Sequence, residues 1–295
     1  MKNIHYIVAT TLLLIGNSVF AQQESSFAFY KYHMNVINPA YAGVDEQTVI
    51  TSSIRNQWSG IANAPKTQAV SFGMPIANNL GFGIAVVNSS TFIEKQTAVD
   101  INLSYKLKMS QNTDLYLGIN AGGTNFNLNT AGLELYSVES DPAFGSIKTF
   151  NPNFGAGALL KSEKFYVSLS VPKLLHIQNA KNDNGYATLE TNKPRVYLSG
   201  GYDFNLNPTG TLVLKPSVLA RYATATPFSV DISTMLQIQQ NFEVGALYRT
   251  DKAYAAMANF ILNKKFIIGY AYEMSTISTM ASAKNTNEIL LQYKF

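Results

Sequence analysis

From Glu288 to Phe295 the chain alternates, with Ile289, Leu291, Tyr293 and Phe295 on one face and Glu288, Gln292 and Lys294 on the other, and it stops on the phenylalanine. A period of two is a strand, and a strand with one apolar and one polar face needs an apolar medium on one side only. Bacterial outer-membrane barrels end this way, with lipid outside and a polar lumen inside. On this reading Tyr293 and Phe295 form a barrel-assembly signal. An ordinary soluble β-protein can end on the same pattern, so the remainder of the chain has to discriminate.

The start of the chain argues for export. Met1-Lys2-Asn3 is a short basic opening, 7 to 15 is an apolar core, and Val19-Phe20-Ala21 fits a cleavage site, so residues 1–21 are expected to be a signal peptide. The apolar stretch is too short for a membrane span, and no cysteine follows it to carry a lipid. Beyond it no run approaches the roughly 18 to 20 apolar residues of a spanning helix. Yet 46% of the chain is hydrophobic and only 14% charged. A bilayer accepts helices or closed barrels, so an exported chain with period-two pattern and no spanning helix points to a barrel.

Alternation set against turn residues predicts strands at about 47 to 57, 66 to 74, 80 to 89, 93 to 108, 112 to 124, 150 to 161 and 164 to 172. Seven more are expected near 194 to 206, 210 to 222, 227 to 238, 241 to 249, 253 to 262, 264 to 274 and 287 to 295. The expected fold is therefore an all-β, transmembrane, antiparallel β-barrel of about 14 strands. Links after even-numbered strands are tight and rich in turn formers, as at Asn207-Pro208-Thr209-Gly210 and Asn263-Lys264-Lys265. The long links, 125 to 149, 173 to 193 and 275 to 286, follow odd ones. Short periplasmic turns alternating with long outside loops are a barrel's signature, with both termini expected on the periplasmic side.

Parity assigns the faces. Leu212, Leu214, Val218, Ala220 and Tyr222 face lipid, opposite Lys215, Ser217 and Arg221. Val230, Ile232, Leu236 and Ile238 likewise oppose Asp231 and Gln237, and Phe242, Val244 and Tyr248 oppose Glu243 and Arg249. The inferred lumen holds Arg195, Asp203, Lys215, Arg221, Asp231, Glu243, Arg249, Glu273 and Lys294, a balanced set. Such a mix reads either as ion pairs across the lumen that brace the barrel or as scattered polar groups facing channel water. A selective pore usually carries a ring of one sign. The strand glycines are expected to relax local twist.

Catalytic chemistry finds little support. The chain has no cysteine, which excludes disulfides, thiolate nucleophiles and Cys-ligated metals. After the signal only His33 and His176 remain, far apart and without metal-ligand spacing, and there is no phosphate-cradling glycine loop or Gly-x-Ser-x-Gly elbow. A His and Ser pair assembled by folding, as in barrel phospholipases, is the surviving enzymatic alternative. The expectation is no catalytic residue, no metal and no cofactor. The net charge of +4 is scattered rather than clustered, so nucleic acid is not expected as a partner.

The most specific stretch lies near the start of the mature chain. It runs through Tyr30-Lys31-Tyr32-His33-Met34-Asn35 and Asn38-Pro39-Ala40-Tyr41-Ala42-Gly43, then Arg55-Asn56-Gln57-Trp58 and Ala64-Pro65-Lys66-Thr67. Asn-Pro followed by small residues and a glycine is a turn. Residues 22–46 are too irregular to face lipid, and they are too rich in tyrosine and too poor in charge to suit disorder. They are expected to be a leader or plug packed at or in the periplasmic mouth, ahead of a barrel at 47–295.

These residues resemble the PorP/SprF family of outer-membrane components of the type IX secretion system of Bacteroidetes. The resemblance rests on Asn38 to Gly43, Arg55-Asn56-Gln57-Trp58, Ala64-Pro65-Lys66-Thr67, Ser71-Phe72-Gly73-Met74-Pro75 and Leu80-Gly81-Phe82-Gly83. The chain departs from the family pattern at Ile54, Asn63 and Asn88. The resemblance implies a partner role in the cell outer membrane: secretion or surface attachment of particular substrates, gliding adhesins among them. The implied partners are the machinery, substrate C-terminal domains and outer-membrane lipid. Asn38, Pro39, Ala40, Tyr41, Ala42 and Gly43 are expected to interlock with Arg55, Gln57, Trp58, Pro65 and Thr67. In that unit Tyr41 and Trp58 are anchors, and Arg55 is a donor fixing the leader. The other reading of the same residues is that they merely brace the barrel. The alternative function is a transport channel for small solutes, hydrophobic ones included.

Overall fold

The computed structural model describes residues 26–44, 46–129, 147–175, 177–178, 191–224, 226–250, 253–276 and 285–295. The expected signal peptide and His176 lie outside the described residues.

Fourteen antiparallel strands close on themselves among the described residues. They are β1 (Val49–Asn56), β2 (Lys66–Ala77), β3 (Leu80–Thr91), β4 (Glu94–Lys108), β5 (Thr113–Leu128), β6 (Ile147–Ser162) and β7 (Phe165–Val171). Then come β8 (Arg195–Tyr202), β9 (Leu212–Ala223), β10 (Ser229–Ile238), β11 (Phe242–Arg249), β12 (Ala253–Leu262), β13 (Phe266–Ser275) and β14 (Asn285–Lys294). Each pairs with its neighbours in sequence, and β14 closes the barrel on β1 with Val49 opposite Lys294 and Asn56 opposite Asn287. Closure leaves no open edge, the condition for backbone in a bilayer. The expected count and order of strands therefore hold.

The alternation that predicts the strands also fixes their faces. In β12, Ala253, Ala255, Met257 and Asn259 are buried inside while Tyr254 and Phe260 are exposed outside. Val70, Ile101, Ile119, Leu169, Leu198 and Ile232 extend the outward apolar band around the wall. A band this wide is tolerable against lipid and not against water. One end of the barrel carries tight turns, several built without glycine: Gln239 and Gln240 (φ 50° and 61°) and Asn263 and Lys264 (φ 52° and 58°) adopt the left-handed geometry of two-residue hairpins. By the barrel convention this turn end is periplasmic and the loop end outside. Loop length at the outer end is uneven, since Phe92 and Ile93 alone join β3 to β4.

The lumen departs from the all-polar expectation. Leu219, Met235, Leu247, Met257, Ile267 and Leu290 point inward and are buried. Their partners come from the leader, whose Ala28, Phe29, Tyr30 and Met34 pack against them. A strand facing a packed segment rather than water can place leucine on its inner face, which parity alone does not reveal.

Candidate functional site

Residues 26–44 form a strap that runs the length of the lumen. Tyr30–His33 and Pro39–Tyr41 are 3-10 turns flanking one α-helical turn, Met34–Ile37. At the loop end, the Ser26 hydroxyl accepts from Arg221 Nη1 at 2.6 Å. At the turn end, Ser104 Oγ donates to the Ala42 carbonyl at 2.5 Å. In between, hydrogen bonds reach strands on opposite sides of the wall. Tyr30 Oη donates to Ser217 Oγ on β9 (2.8 Å), Asn102 Nδ2 on β4 donates to the Asn35 carbonyl (3.0 Å), and Ser170 Oγ on β7 donates to the Ile37 carbonyl (2.6 Å). The described part of the leader thus lies inside the barrel and reaches from the loop end to the turn end.

The strap's outer half rests on a run of alternating charges. Glu288 (β14) meets Arg55 (β1) at 3.3 Å, Arg55 meets Glu273 (β13) at 2.6 Å, and Glu273 meets Arg249 (β11) at 3.0 Å. Arg249 then meets Asp231 (β10) at 2.9 Å, and Asp231 also pairs with Arg221 (β9). All six side chains are buried. Three guanidinium forks against three carboxylates suit this geometry, because each fork can serve two acids at once. The expected bracing ion pairs exist, but they run along the inner wall from strand to strand instead of crossing the lumen. Arg55 and Glu288 also face each other in register across the β1–β14 seam.

Glu288 is where the charge run holds the strap. Its carboxylate accepts the backbone N–H of Ala28 at 2.7 Å and that of Phe29 at 3.1 Å. Arg55 thus acts on the leader through Glu288, rather than by the direct bond that the sequence suggests. A second anchor pairs Lys215 with Glu243 at 2.9 Å, and Glu243 also accepts from Tyr32 Oη and, at 3.0 Å, from Asn259 Nδ2.

The Asn38 to Gly43 motif sits in a trough cut by glycines. Asn38 Oδ1 accepts from Ala40 N (2.9 Å), capping the turn at Pro39, and its Nδ2 donates to the Ala158 carbonyl (3.2 Å). A Cβ on Gly118 would lie 2.1 Å from Ala40 N, and one on Gly157 would lie 2.1 Å from Asn38 Oδ1. These glycines of β5 and β6 therefore serve close approach of the strap more than relaxation of twist. Tyr41 packs edge-on against Tyr166, with ring centroids 6.4 Å apart.

The second half of the expected unit lies elsewhere. Gln57, Trp58 and Pro65 belong to the β1–β2 link at the loop end, where the Gln57 N–H donates to the Pro65 carbonyl at 2.9 Å and Trp58 is half-buried in left-handed geometry (φ 51°). Thr67 points inward on β2, opposite Arg55. The structure does not bring Asn38–Gly43 and Arg55–Trp58 together, because the strap has run down to the turn end by Asn38 while Arg55–Trp58 leads into the β1–β2 link at the loop end. At the other end, the Phe295 N–H donates to the Thr48 carbonyl at 3.0 Å, and its ring stands edge-on to Tyr293 at 4.8 Å.

Two ionisable groups of the strap are shaped by burial. His33 stacks on Phe27 (5.0 Å) and shares a hydrogen bond with Ser53 Oγ (2.6 Å). Burial pushes its pKa down to about 3, so the ring is neutral. Lys31 lies 5.8 Å from the centre of the Tyr166 ring, and burial lowers its pKa although Asp203 pulls the other way. Lys31 borders a cavity of about 530 Å³ at the turn end, bounded by the strap, the β9–β14 wall and the rim residues Gln240 and Lys264. Among the described residues no group of three or more His, Asp or Glu side chains is arranged to hold a metal.

The Omp33 outer membrane protein of Acinetobacter baumannii shares the architecture at a TM-score of 0.52 and 10% identity, covering 85% of this chain and 98% of that one. The CymD monoaromatic hydrocarbon channel is similar at a TM-score of 0.50 and 10% identity, covering 88% and 92%. These likenesses show the barrel fold. No curated protein matches the chain. The family described as "Type IX secretion system membrane protein PorP/SprF" matches residues 19–293. With that match over nearly the whole length, on an outer-membrane barrel filled by the strap that carries the Asn38 to Gly43 motif, the chain belongs to the PorP/SprF family of type IX secretion system membrane proteins.

Proposed function

We propose that this protein is a non-enzymatic outer-membrane component needed to secrete particular type IX substrates or attach them to the cell surface, gliding adhesins among them. Its partners on this reading are other components of the machinery and the C-terminal domains of those substrates. The observation that carries the reading is the strap. A lumen crossed from end to end by a segment bonded to β4, β7, β9, β12 and β14 supports a docking platform rather than a permanently open pore. The barrel then contributes a rigid frame, and its two ends contribute surfaces.

Deletion of the gene tests this. Expected are loss of one or more surface proteins, unchanged growth on small nutrients and no steady conductance from the purified protein in planar bilayers. Steady open-pore current together with intact secretion would favour the solute channel instead.

A further inference from the structure

The cavity at the turn end is walled entirely by the periplasmic halves of its strands, by the strap and by rim turns. Its charged groups are Lys31, Lys215, Lys264 and Lys294 against Asp203 and Glu243, an excess of cations. Glu243 is already committed to Lys215, Tyr32 and Asn259. Lys31 makes no carboxylate ion pair among the described residues; its neighbour is the Tyr166 ring. Asp203 and Glu243 act on this partly desolvated ammonium only from a distance, so its cost is incompletely compensated and a carboxylate in direct contact would relieve it. The lowered proton affinity of Lys31 agrees with that cost.

The remaining lining selects among anions. Gln47, Gln237 and Gln240 are among the lining residues, and a glutamine side chain carries both donors and an acceptor, as peptide groups require. A volume of about 530 Å³ falls in the range of specific ligand pockets. Lipid has no lateral route in, because every strand is paired. We infer that this cavity is a receptor for an acidic, extended peptide offered from the periplasmic side, with Lys31 as its carboxylate contact and the glutamine amides along its backbone. The inference rests on the secretion reading above and names the kind of partner that its periplasmic end would take.

The test is binding of a fluorescein-labelled Gly-Ser-Glu-Ser-Glu peptide to the purified full-length protein in detergent micelles, read by anisotropy. Saturable binding is expected. The Gln-substituted, C-terminally amidated peptide and the Lys31→Gln protein should each bind about tenfold more weakly, the loss of one charge-assisted contact. Lys31→Met, which keeps the stem against Tyr166, serves if the glutamine variant loses its heat-modifiable gel mobility. Gln237→Glu, which adds a negative charge to the opening, should weaken binding as well. No saturation below millimolar peptide, or undiminished binding by both Lys31 variants, overturns the proposal. So does competition by inorganic phosphate as effective as that of unlabelled peptide, which would mark a simple anion site. If the deletion strain loses surface proteins while the peptide does not bind, the inference fails and the secretion role stands. Peptide binding by a protein whose deletion leaves secretion intact would keep the receptor and overturn the secretion role.

Discussion

Asn38 Oδ1 occupies the space beside Gly157 that any larger residue would fill, since a Cβ there would stand 2.1 Å away. The strap and the wall are therefore matched atom against atom at this point. Gly157→Ala and Gly118→Ala should each cost about 1–3 kcal/mol, the usual range for overpacking. At Gly118 the obstacle is backbone and cannot swing aside. Gly200→Ala is the control, because the nearest atom to its Cβ would be 3.4 Å away. Protease sensitivity of residues 26–44 and the temperature of gel-mobility loss should separate the two classes, and equal behaviour of all three variants would refute the trough.

Arg55→Met should loosen the strap without touching it. The substitution leaves Glu273 and Glu288 buried with less compensation, a loss of about 3–5 kcal/mol for a broken buried pair. Arg55→Lys should be milder yet measurable, since one ammonium cannot serve both acids as the fork does. Adding Glu288→Gln to Arg55→Met should recover part of the stability. A double variant no better than the single one would show that the two side chains are not coupled.

His33 predicts a pH dependence with a definite sign. Its folded pKa, near 3, lies below the ordinary value of 6.5, so between these values the unfolded chain binds the extra proton. The stabilisation is complete above about pH 6.5 and falls away as acid takes the pH toward 3, by about 2 kcal/mol at pH 5. Strap protection measured from pH 7.5 to 4.5 should decline in the native protein and decline less in His33→Gln. An identical profile in the variant would assign the acid sensitivity to other groups.

Asn38→Ala removes both the cap on the Pro39 turn and the bond to Ala158. A loss of about 1–2 kcal/mol is expected from the cap alone. In planar bilayers this variant, combined with Gly118→Ala, should show intermittent openings where the native barrel stays quiet. Silence of the combined variant, with the strap proven mobile by proteolysis, would mean that something besides the strap closes the lumen.

Period two makes the strands legible because a wall between lipid and lumen obliges every second side chain to be apolar. Val218, Tyr222, Ile232 and Tyr248 lie on the outer face as alternation requires. What alternation cannot show is the strap. Leu290 sits among polar inward residues and signals an inner apolar contact, and Glu288 is plain on the polar face of the last strand. Neither announces a partner 260 residues away. Gly118 and Gly157 look like ordinary strand glycines because the need for them comes from another segment's backbone. The separation of Asn38–Gly43 from Arg55–Trp58 is equally hidden, since closeness in sequence says nothing about which end of the barrel each occupies.

The pairing of Arg55 with Glu288 across the seam also sets an order in time. The strap precedes every strand in the chain, yet the carboxylate that grips Ala28 and Phe29 belongs to the last strand. Until β14 has joined β1, those two backbone donors have no carboxylate to meet, and Arg55 has neither Glu288 nor Glu273, which sits on β13 beyond β14. The earliest part of the chain is thus locked by the latest. A chain cut short before Glu288 could not seat its strap in this way, so a filled lumen is in effect a record that the barrel was finished.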